Sequence, residues 1–232
     1  HEQLLMQSEK LKVVGEMAAG LAHEIRNPMT VISGFIQMMN ADETFQYKTY
    51  TKLIETEIDR INLIISEFLV LSKPQKEQYK KFAINQVIES TLELFSLQIS
   101  QRNINVKLKT NNTNSYIEGS YNQIKQVFIN LIKNALEAVD DNGRIDIEFR
   151  NDDRHVYIFI KDNGVGIPEH IIERIFEPFF TTKEHGTGLG MVITNKIIQE
   201  HKGVLKIHSQ EKIGTEILVK IPSVEVNDAI IQ

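Results

Sequence analysis

The chain has 232 residues and no cysteine. Disulfides, thiol nucleophiles and thiolate metal sites are therefore excluded, and the composition suits a reducing cytosol. No apolar stretch approaches the roughly 18 uninterrupted residues that a membrane helix needs, and no signal peptide stands before the first periodic segment. There is no lysine-rich run either. Lys and Arg number 26 against 31 Asp and Glu, and a net charge of −5 leaves no electrostatic footprint for nucleic acid or an anionic membrane surface. Internal repeats and low-complexity segments are missing. What remains is 41% hydrophobic and 25% charged residues, enough for one large domain or two modest ones with their own cores. The expectation is a soluble fragment. Because the chain opens in mid-heptad without a methionine, it reads as part of a longer parent.

Two halves differ in period. Leu4, Leu11, Ala18 and Ile25 recur every seven residues, and Gln7, Val14 and Leu21 follow the first three at a spacing of three. These are a and d positions of a helical seam. Counting back from Ile25 puts Glu24 at g and His23 at f, the position farthest from the seam, so the imidazole is expected to face solvent. A zinc site of the HExxH kind is disfavoured, because Asn27 stands where its second histidine belongs. The first helix is expected to kink at Pro28 and to continue through Ile32, Phe35 and Met39. After a polar break at 40–44, a second helix carries Ile54, Ile58, Ile61, Ile65 and Phe68 in alternating steps of four and three. Such a hairpin has more apolar surface than it can cover, and pairing two copies into a four-helix bundle resolves this. A homodimer is implied.

Residues 72–81, with Pro74 and four lysines, read as a linker. Beyond it, helices are expected at 84–101 (capped by Asn85), at 124–139 and from about 189 to 201, with strands at 104–109, 145–150, 156–161, 204–209 and 216–221. Strands adjacent in sequence with helices interspersed predict an α/β sandwich, helices on one face of a mixed sheet. The resulting division is 1–73, a linker at 74–81, a second domain at 82–222 and a frayed tail at 223–232.

Three motifs in the second half carry chemistry. The helix at 124–139 leaves Asn130, Lys133, Asn134 and Glu137 on one polar stripe. Amide oxygens are hard ligands suited to Mg²⁺ beside phosphate oxygens, and a lysine there could hold phosphate. Asp162-Asn163-Gly164-Val165-Gly166 follows a strand, where a carboxylate can accept from the exocyclic amine of adenine while the glycines allow close backbone approach. Gly186-Thr187-Gly188-Leu189-Gly190 opens a helix whose exposed amides favour phosphate. The two glycine turns flank Phe176-Glu177-Pro178-Phe179-Phe180-Thr181-Thr182-Lys183, which reads as a lid over a nucleotide.

At this point the chain resembles a known family along nearly all its length. HEIRNP resembles the phosphoacceptor box of bacterial sensor histidine kinases, and NLIKNALEA, DNGVGI, FEPFFTTK and GTGLGM resemble their N, G1, F and G2 boxes in the family order. The lid and the NALEA helix resemble those of Gram-positive sporulation-initiation kinases. The resemblance implies a dimerising, histidine-phosphotransfer hairpin, which forms a dimeric four-helix bundle, followed by a GHKL-type ATP-binding domain of the Bergerat fold. It further implies autophosphorylation of His23 from ATP with Mg²⁺, and transfer to an aspartate on a response regulator receiver domain. By the same resemblance Glu24 takes the ring proton, Asn27 orients phosphate or water, and Asn134 holds Mg²⁺. Asn130 and Lys133 lie near the phosphates, and Asp162, Gly164 and Gly166 form the base end. Thr187, Gly188, Leu189 and Gly190 line the phosphate path, with Lys183 meeting the γ-phosphate. A small inhibitor protein on the hairpin is a further implied partner, and a cytoplasmic fragment of a membrane-anchored parent the implied location. Departures from the family pattern are Gly119-Ser120 for Gly-Asp and Met191 for Leu, neither expected to touch the chemistry. Two other classes share parts of the pattern: a GHKL-type ATPase driving conformational change, and a non-catalytic dimeric scaffold that only binds a regulator.

Overall fold

The structure is a computed structural model that describes residues 2–41, 47–72, 79–109, 115–183 and 186–225, with hairpin side chains described over 20–39 and 50–69. The chain forms two compact units, His1–Gln75 with Glu177–Gly190, and Lys76–Phe176 with Met191–Gln232.

The first unit is built on two long helices, α1 (Glu2–Ala41) and α2 (Tyr47–Ser72). Helix α1 runs through the buried Pro28 without interruption, although proline lacks the N–H that would bond the carbonyl of Glu24. The seam expected from the heptads is visible where side chains are described. Leu21, Glu24 and Ile25 are half-buried, and His23 is exposed. The a and d positions before residue 20 lie outside the described side chains. Near the hairpin tip, Phe35 and Tyr50 meet edge to face with centroids 5.3 Å apart. Ile64 is the large aliphatic side chain that is fully buried among the described hairpin residues. Met29, Ile36, Met38, Ile58, Leu63 and Ile65 remain 40% to 55% exposed. In the same unit, a Cβ at Gly20 would stand 2.5 Å from Cδ2 of Phe179, so that ring lies against α1 one turn before His23.

The second unit is an α/β sandwich. Strand β1 (Lys80–Ala83) leads into α3 (Ile84–Leu94) and the short α4 (Ser96–Gln101); β2 (Asn105–Lys109) and β3 (Tyr116–Gly119) follow. Next come α5 (Tyr121–Ala138), β4 (Arg144–Asn151), β5 (His155–Asp162), the one-turn α6 (Glu169–Ile172), α7 (Gly190–Glu200), β6 (Val204–Gln210) and β7 (Gly214–Pro222). The large sheet has the order β2-β4-β5-β7-β6, with β2 parallel to β4 and the other pairs antiparallel. It is mixed, as expected. One face is buried through alternate residues such as Ile145, Ile147, Ile158, Ile160 and Val219, whereas Glu148, Phe159 and Leu218 on the other are half-exposed. Helices accordingly cover one side. Helix α5 supplies Ile124, Val127, Phe128, Leu131, Ile132 and Leu136 to this core, all at 0% or 1% exposure, spaced as one stripe of a 3.6-residue helix.

Several boundaries differ from expectation for local reasons. Helix α5 starts three residues early because Ser120, not an apolar residue, sets its beginning: Oγ of Ser120 accepts from the backbone N–H of Gln123 at 3.2 Å. Asn85 is not a cap, since α3 begins at Ile84 after Ala83, and the expected helix at 84–101 breaks at Phe95 into α3 and α4. Strand β1 takes Lys80 and Lys81 from the stretch read as linker and pairs antiparallel with β3. Four-residue strands carry too little alternation to be seen in sequence. The far end of α5 is closed by Arg102, whose guanidinium donates to the carbonyls of Leu136 and Val139, both at 2.6 Å, and pairs with Asp141 at 2.8 Å.

Candidate functional site

On α1, His23 and Asn27 stand four residues apart and both are exposed, so they share one face of the helix, while Glu24 is half-buried beside them. The proline at 28 leaves the carbonyl of Glu24 without its usual helical donor, which marks this turn as chemically unlike its neighbours.

In the segment 177–190 of the same unit, the Gly188 backbone has φ of +69° and Phe179 has φ of +64°, and Phe179 N–H donates to the Gly188 carbonyl at 3.2 Å. A side chain at Gly188 would collide with the Phe179 backbone as well as being strained. Thr187 and Leu189 are buried, and Oγ1 of Thr187 accepts from Leu189 N–H at 3.3 Å. Lys183 is exposed, and Gly190 is the first residue of α7.

In the α/β unit, Asp162 ends β5 and is 7% exposed. One carboxylate oxygen, Oδ1, accepts from the backbone N–H of Gly164 at 2.8 Å and of Thr215 at 3.2 Å. Burial pushes the Asp162 carboxyl above its ordinary value, and the two backbone donors pull in the opposite direction. The turn after it is clasped from two sides. Val165 N–H donates to the Ala138 carbonyl at the end of α5 (3.0 Å), and Lys212 N–H donates to the Val165 carbonyl at 2.6 Å. Gly166, at φ of +68°, lies so close to the Gln210 carbonyl that a Cβ would strike it. The motif expected to approach a ligand closely therefore also packs closely on its own scaffold.

The amide pair on α5 sits against the start of α7. Nδ2 of Asn130 donates to Oγ1 of Thr194 at 2.9 Å and approaches the Met191 sulfur at 3.6 Å; Nδ2 of Asn134 approaches the same sulfur at 3.5 Å. Met191, a departure from the family pattern in the sequence, lies against both amides, its thioether within reach of each NH₂ group. An amide oxygen is the kind of hard donor that Mg²⁺ prefers. No cluster of three or more His, Asp or Glu able to hold a metal occurs among the described residues, so a cation here would rest on amide oxygen and phosphate. Lys133 is exposed and lies 3.8 Å from Glu137.

Residues that the sequence did not single out lie against these motifs. Thr215 and Gly214 meet the Asp162 turn from β7, and Thr194 meets Asn130 from α7. His201, a second histidine, is buried: its Nδ1 donates to the Ile197 carbonyl at 2.7 Å and its Nε2 accepts from Ser120 N–H at 3.0 Å, which joins the ends of α7 and α5. Tyr79 stacks on it with centroids 5.0 Å apart.

Comparison with known proteins joins these parts. Residues 13–77 match the His Kinase A (phospho-acceptor) domain, and residues 119–225 match the family described as histidine kinase-, DNA gyrase B-, and HSP90-like ATPase. Sporulation kinase A of Bacillus subtilis (strain 168) is 43% identical over 222 residues, covering 95% of this chain and 36% of that protein. Sporulation kinase E of the same organism is also 43% identical over 222 residues, covering 95% of this chain and 30% of that protein. The chain thus spans about a third of the length of these relatives. Among solved structures, histidine kinase ThkA in complex with response regulator protein TrrA is 36% identical with a TM-score of 0.82, covering 96% of this chain and 66% of that one. The catalytic domain of ThkA is 37% identical with a TM-score of 0.59, covering 63% of this chain and 96% of that one. A phospho-acceptor hairpin followed in order by an ATPase domain of this type means that the chain belongs to the histidine kinase family.

Proposed function

We propose that this chain is the catalytic portion of an ATP-dependent protein histidine kinase, which autophosphorylates His23 and passes the phosphoryl group to an aspartate of a response regulator. The observation that carries the reading is an exposed imidazole on a phospho-acceptor hairpin, in the same chain as an ATPase-type α/β unit. The domain limits that go with it are 1–73 for dimerisation and phosphotransfer, 74–81 for the linker, whose last two residues already begin β1, 82–222 for ATP binding and 223–232 for a tail.

In this reading Asp162 accepts from the exocyclic amine of adenine, with Gly164 and Gly166 shaping its turn. The backbone amides of Thr187, Gly188, Leu189 and Gly190 face phosphate at the N-terminus of α7. Lys133 and Lys183 offset phosphate charge, with Asn130 beside them. Asn134 would hold Mg²⁺ through its amide oxygen, and the ion would offset charge on the phosphates. A neutral imidazole has a free ring-nitrogen lone pair with which to attack the γ-phosphorus. The N–P bond of His23 forms as the bond from phosphorus to the bridging oxygen breaks, and ADP leaves. Glu24 takes the proton from the other ring nitrogen, which keeps the phosphorylated ring neutral, and Asn27 orients the phosphoryl oxygens.

The partners follow from the hairpin. Its 40% to 55% exposed apolar side chains suit a second copy in a four-helix bundle. Histidine kinase ThkA, similar to this chain over both units, is solved in complex with a response regulator protein, which supports a receiver domain as the acceptor. A small inhibitor protein would compete for the same helices. No described helix is long and apolar enough to cross a membrane. A cytoplasmic location, with any anchor in the rest of a longer parent, belongs to the same proposal.

The deciding experiment is incubation with γ-labelled ATP. Acid-labile, base-stable label on histidine, transferable to a receiver domain, is the expected outcome. Release of free phosphate without labelled protein would identify an ATPase instead, and absence of both would leave a regulator-binding scaffold.

A further inference from the structure

The chain has no cysteine and six methionines, so a two-electron oxidant such as hydrogen peroxide meets thioethers and no thiols. Five of the six, Met6, Met17, Met29, Met38 and Met39, belong to the hairpin part of the sequence. The sixth is Met191. It is the second residue of α7, is half-buried, and stands where the family pattern has leucine, a side chain that peroxide does not attack. Its sulfur lies 3.6 Å from Nδ2 of Asn130 and 3.5 Å from Nδ2 of Asn134. A thioether is a weak acceptor and a soft filler, so these contacts add little beyond packing. They are too close for another atom to stand between the sulfur and either amide, whichever end of the amide faces it. Asn130 has little freedom to withdraw: its amide also bonds Oγ1 of Thr194 at 2.9 Å, and Thr194 is 1% exposed.

We propose that Met191 is a site of reversible oxidation by peroxide, and that its sulfoxide weakens the binding of metal-bound nucleotide by displacing the Asn134 amide. The sulfur lone pair attacks one oxygen of hydrogen peroxide and the O–O bond breaks. The departing hydroxide takes the proton left on the transferred oxygen and leaves as water. Sulfur thus loses two electrons and peroxide gains them. The product carries a polar oxygen where a nearly apolar sulfur packed. With Asn130 tethered to Thr194, the added oxygen either pushes the Asn134 amide aside or binds its NH₂ group, and in both cases the amide leaves its present position. The effect on nucleotide rests on the reading that Asn134 holds Mg²⁺ beside ATP. Because methionine sulfoxide is reduced enzymatically, the unmodified site is recoverable.

The test treats the full 232-residue chain with hydrogen peroxide, quantifies sulfoxide at each methionine by peptide mass spectrometry, and measures ATP binding by calorimetry with and without Mg²⁺. Met191 should oxidise, more slowly than Met29 and Met38, which are 55% and 50% exposed. Affinity for Mg²⁺-ATP should fall about 10- to 100-fold, the scale of disturbing a neighbour of a metal ligand, and affinity for metal-free ATP by less than about threefold. Methionine sulfoxide reductases A and B together, one for each epimer, should restore the first value. Met191→Leu, compared with its own untreated sample, should keep its Mg²⁺-ATP affinity although its hairpin methionines oxidise as in wild type. Thermal melts accompany each sample, and if Met191→Leu does not fold, recovery of the wild type by the reductases is read in its place. Four results would overturn the proposal: an unoxidised Met191 once Met29 and Met38 are fully converted, an unchanged Mg²⁺-ATP affinity after its conversion, an equal loss of metal-free ATP, or an equal loss in treated Met191→Leu. Asn134→Ala separates the two levels. If it binds Mg²⁺-ATP like wild type, the reading of Asn134 fails; if it loses Mg²⁺-ATP while the oxidised wild type keeps it, only the role of Met191 fails.

Discussion

The two units of this chain solve the burial problem in opposite ways. In the hairpin, Ile64 reaches complete burial among the described residues, while Met29, Ile36, Ile58 and Ile65 stay at 40% exposure or more. In the α/β unit, Phe128, Ile132, Ile147, Ile158 and Val219 are at 0% or 1%, and the polar groups at its helix ends find partners within the unit, as Ser120, Arg102 and His201 show. Two antiparallel helices have no third element to cover their outer faces, whereas a helix layer on a five-stranded sheet closes its own core. On the proposed reading partners complete the hairpin. The α/β unit closes its own core. Two histidines show the same contrast at the scale of one residue: His201 has both ring nitrogens bonded inside the core, and His23 stands in solvent where a reaction can reach it.

The largest test of this division is His23→Gln. Autophosphorylation should be lost entirely, while calorimetric ATP affinity stays at the wild-type value, because His23 is not among the residues proposed to hold nucleotide. Reduced ATP affinity would break the separation. Next in size is Glu24→Gln, expected to slow single-turnover labelling by about 10² to 10⁴, the usual value of general-base help. Its dimer mass by sedimentation should not change, and a dissociated dimer would show that the heptad register is wrong.

Phe128→Ala probes the self-contained core and should cost about 3–5 kcal/mol. For a unit of this size each kcal/mol lowers Tm by about 2–4 °C. The midpoint should fall without dependence on protein concentration; dependence would mean that the α/β unit, too, needs a partner. Ile65→Glu probes the other strategy. It should weaken the dimer by roughly 1.5–3 kcal/mol per chain, read from sedimentation equilibrium, and leave the ATP affinity alone. A dimer of unchanged strength would place Ile65 outside the interface.

The smallest effect concerns pH. Burial raises the Asp162 pKa in the folded unit, so the native state keeps this proton to higher pH than the unfolded chain does. Its stabilising contribution is complete below the ordinary carboxylate range and is lost as pH rises through the raised native value. The difference in urea-unfolding free energy, wild type minus Asp162→Asn, should therefore decrease with rising pH over the acid range and then level off. An increase with pH would show that the two backbone donors at Oδ1 outweigh burial.

Periodicity and motif spacing carried much of this in the sequence alone. The stripe from Ile124 to Val139 determines α5 and its apolar face because every residue needed lies within a few turns. The seven-residue repeat determines that His23 faces away from the seam, since helix geometry converts spacing directly into direction. The order of the five motifs determines the family. What no spacing could supply is the set of partners brought together over long separations. Thr215 reaches Asp162 across 53 residues, Thr194 reaches Asn130 across 64 and His201 reaches Ser120 across 81. The approach of the Met191 thioether to two amides, and the contacts of the Ser209 hydroxyl with Ile167, Gly214 and Thr215, are visible only once β6, β7 and α7 are in place. Local sequence determines which way a side chain points on its own element; which atom it then meets is decided by the packing of elements, and hydrogen bonding acts only over the few ångströms that tertiary structure sets.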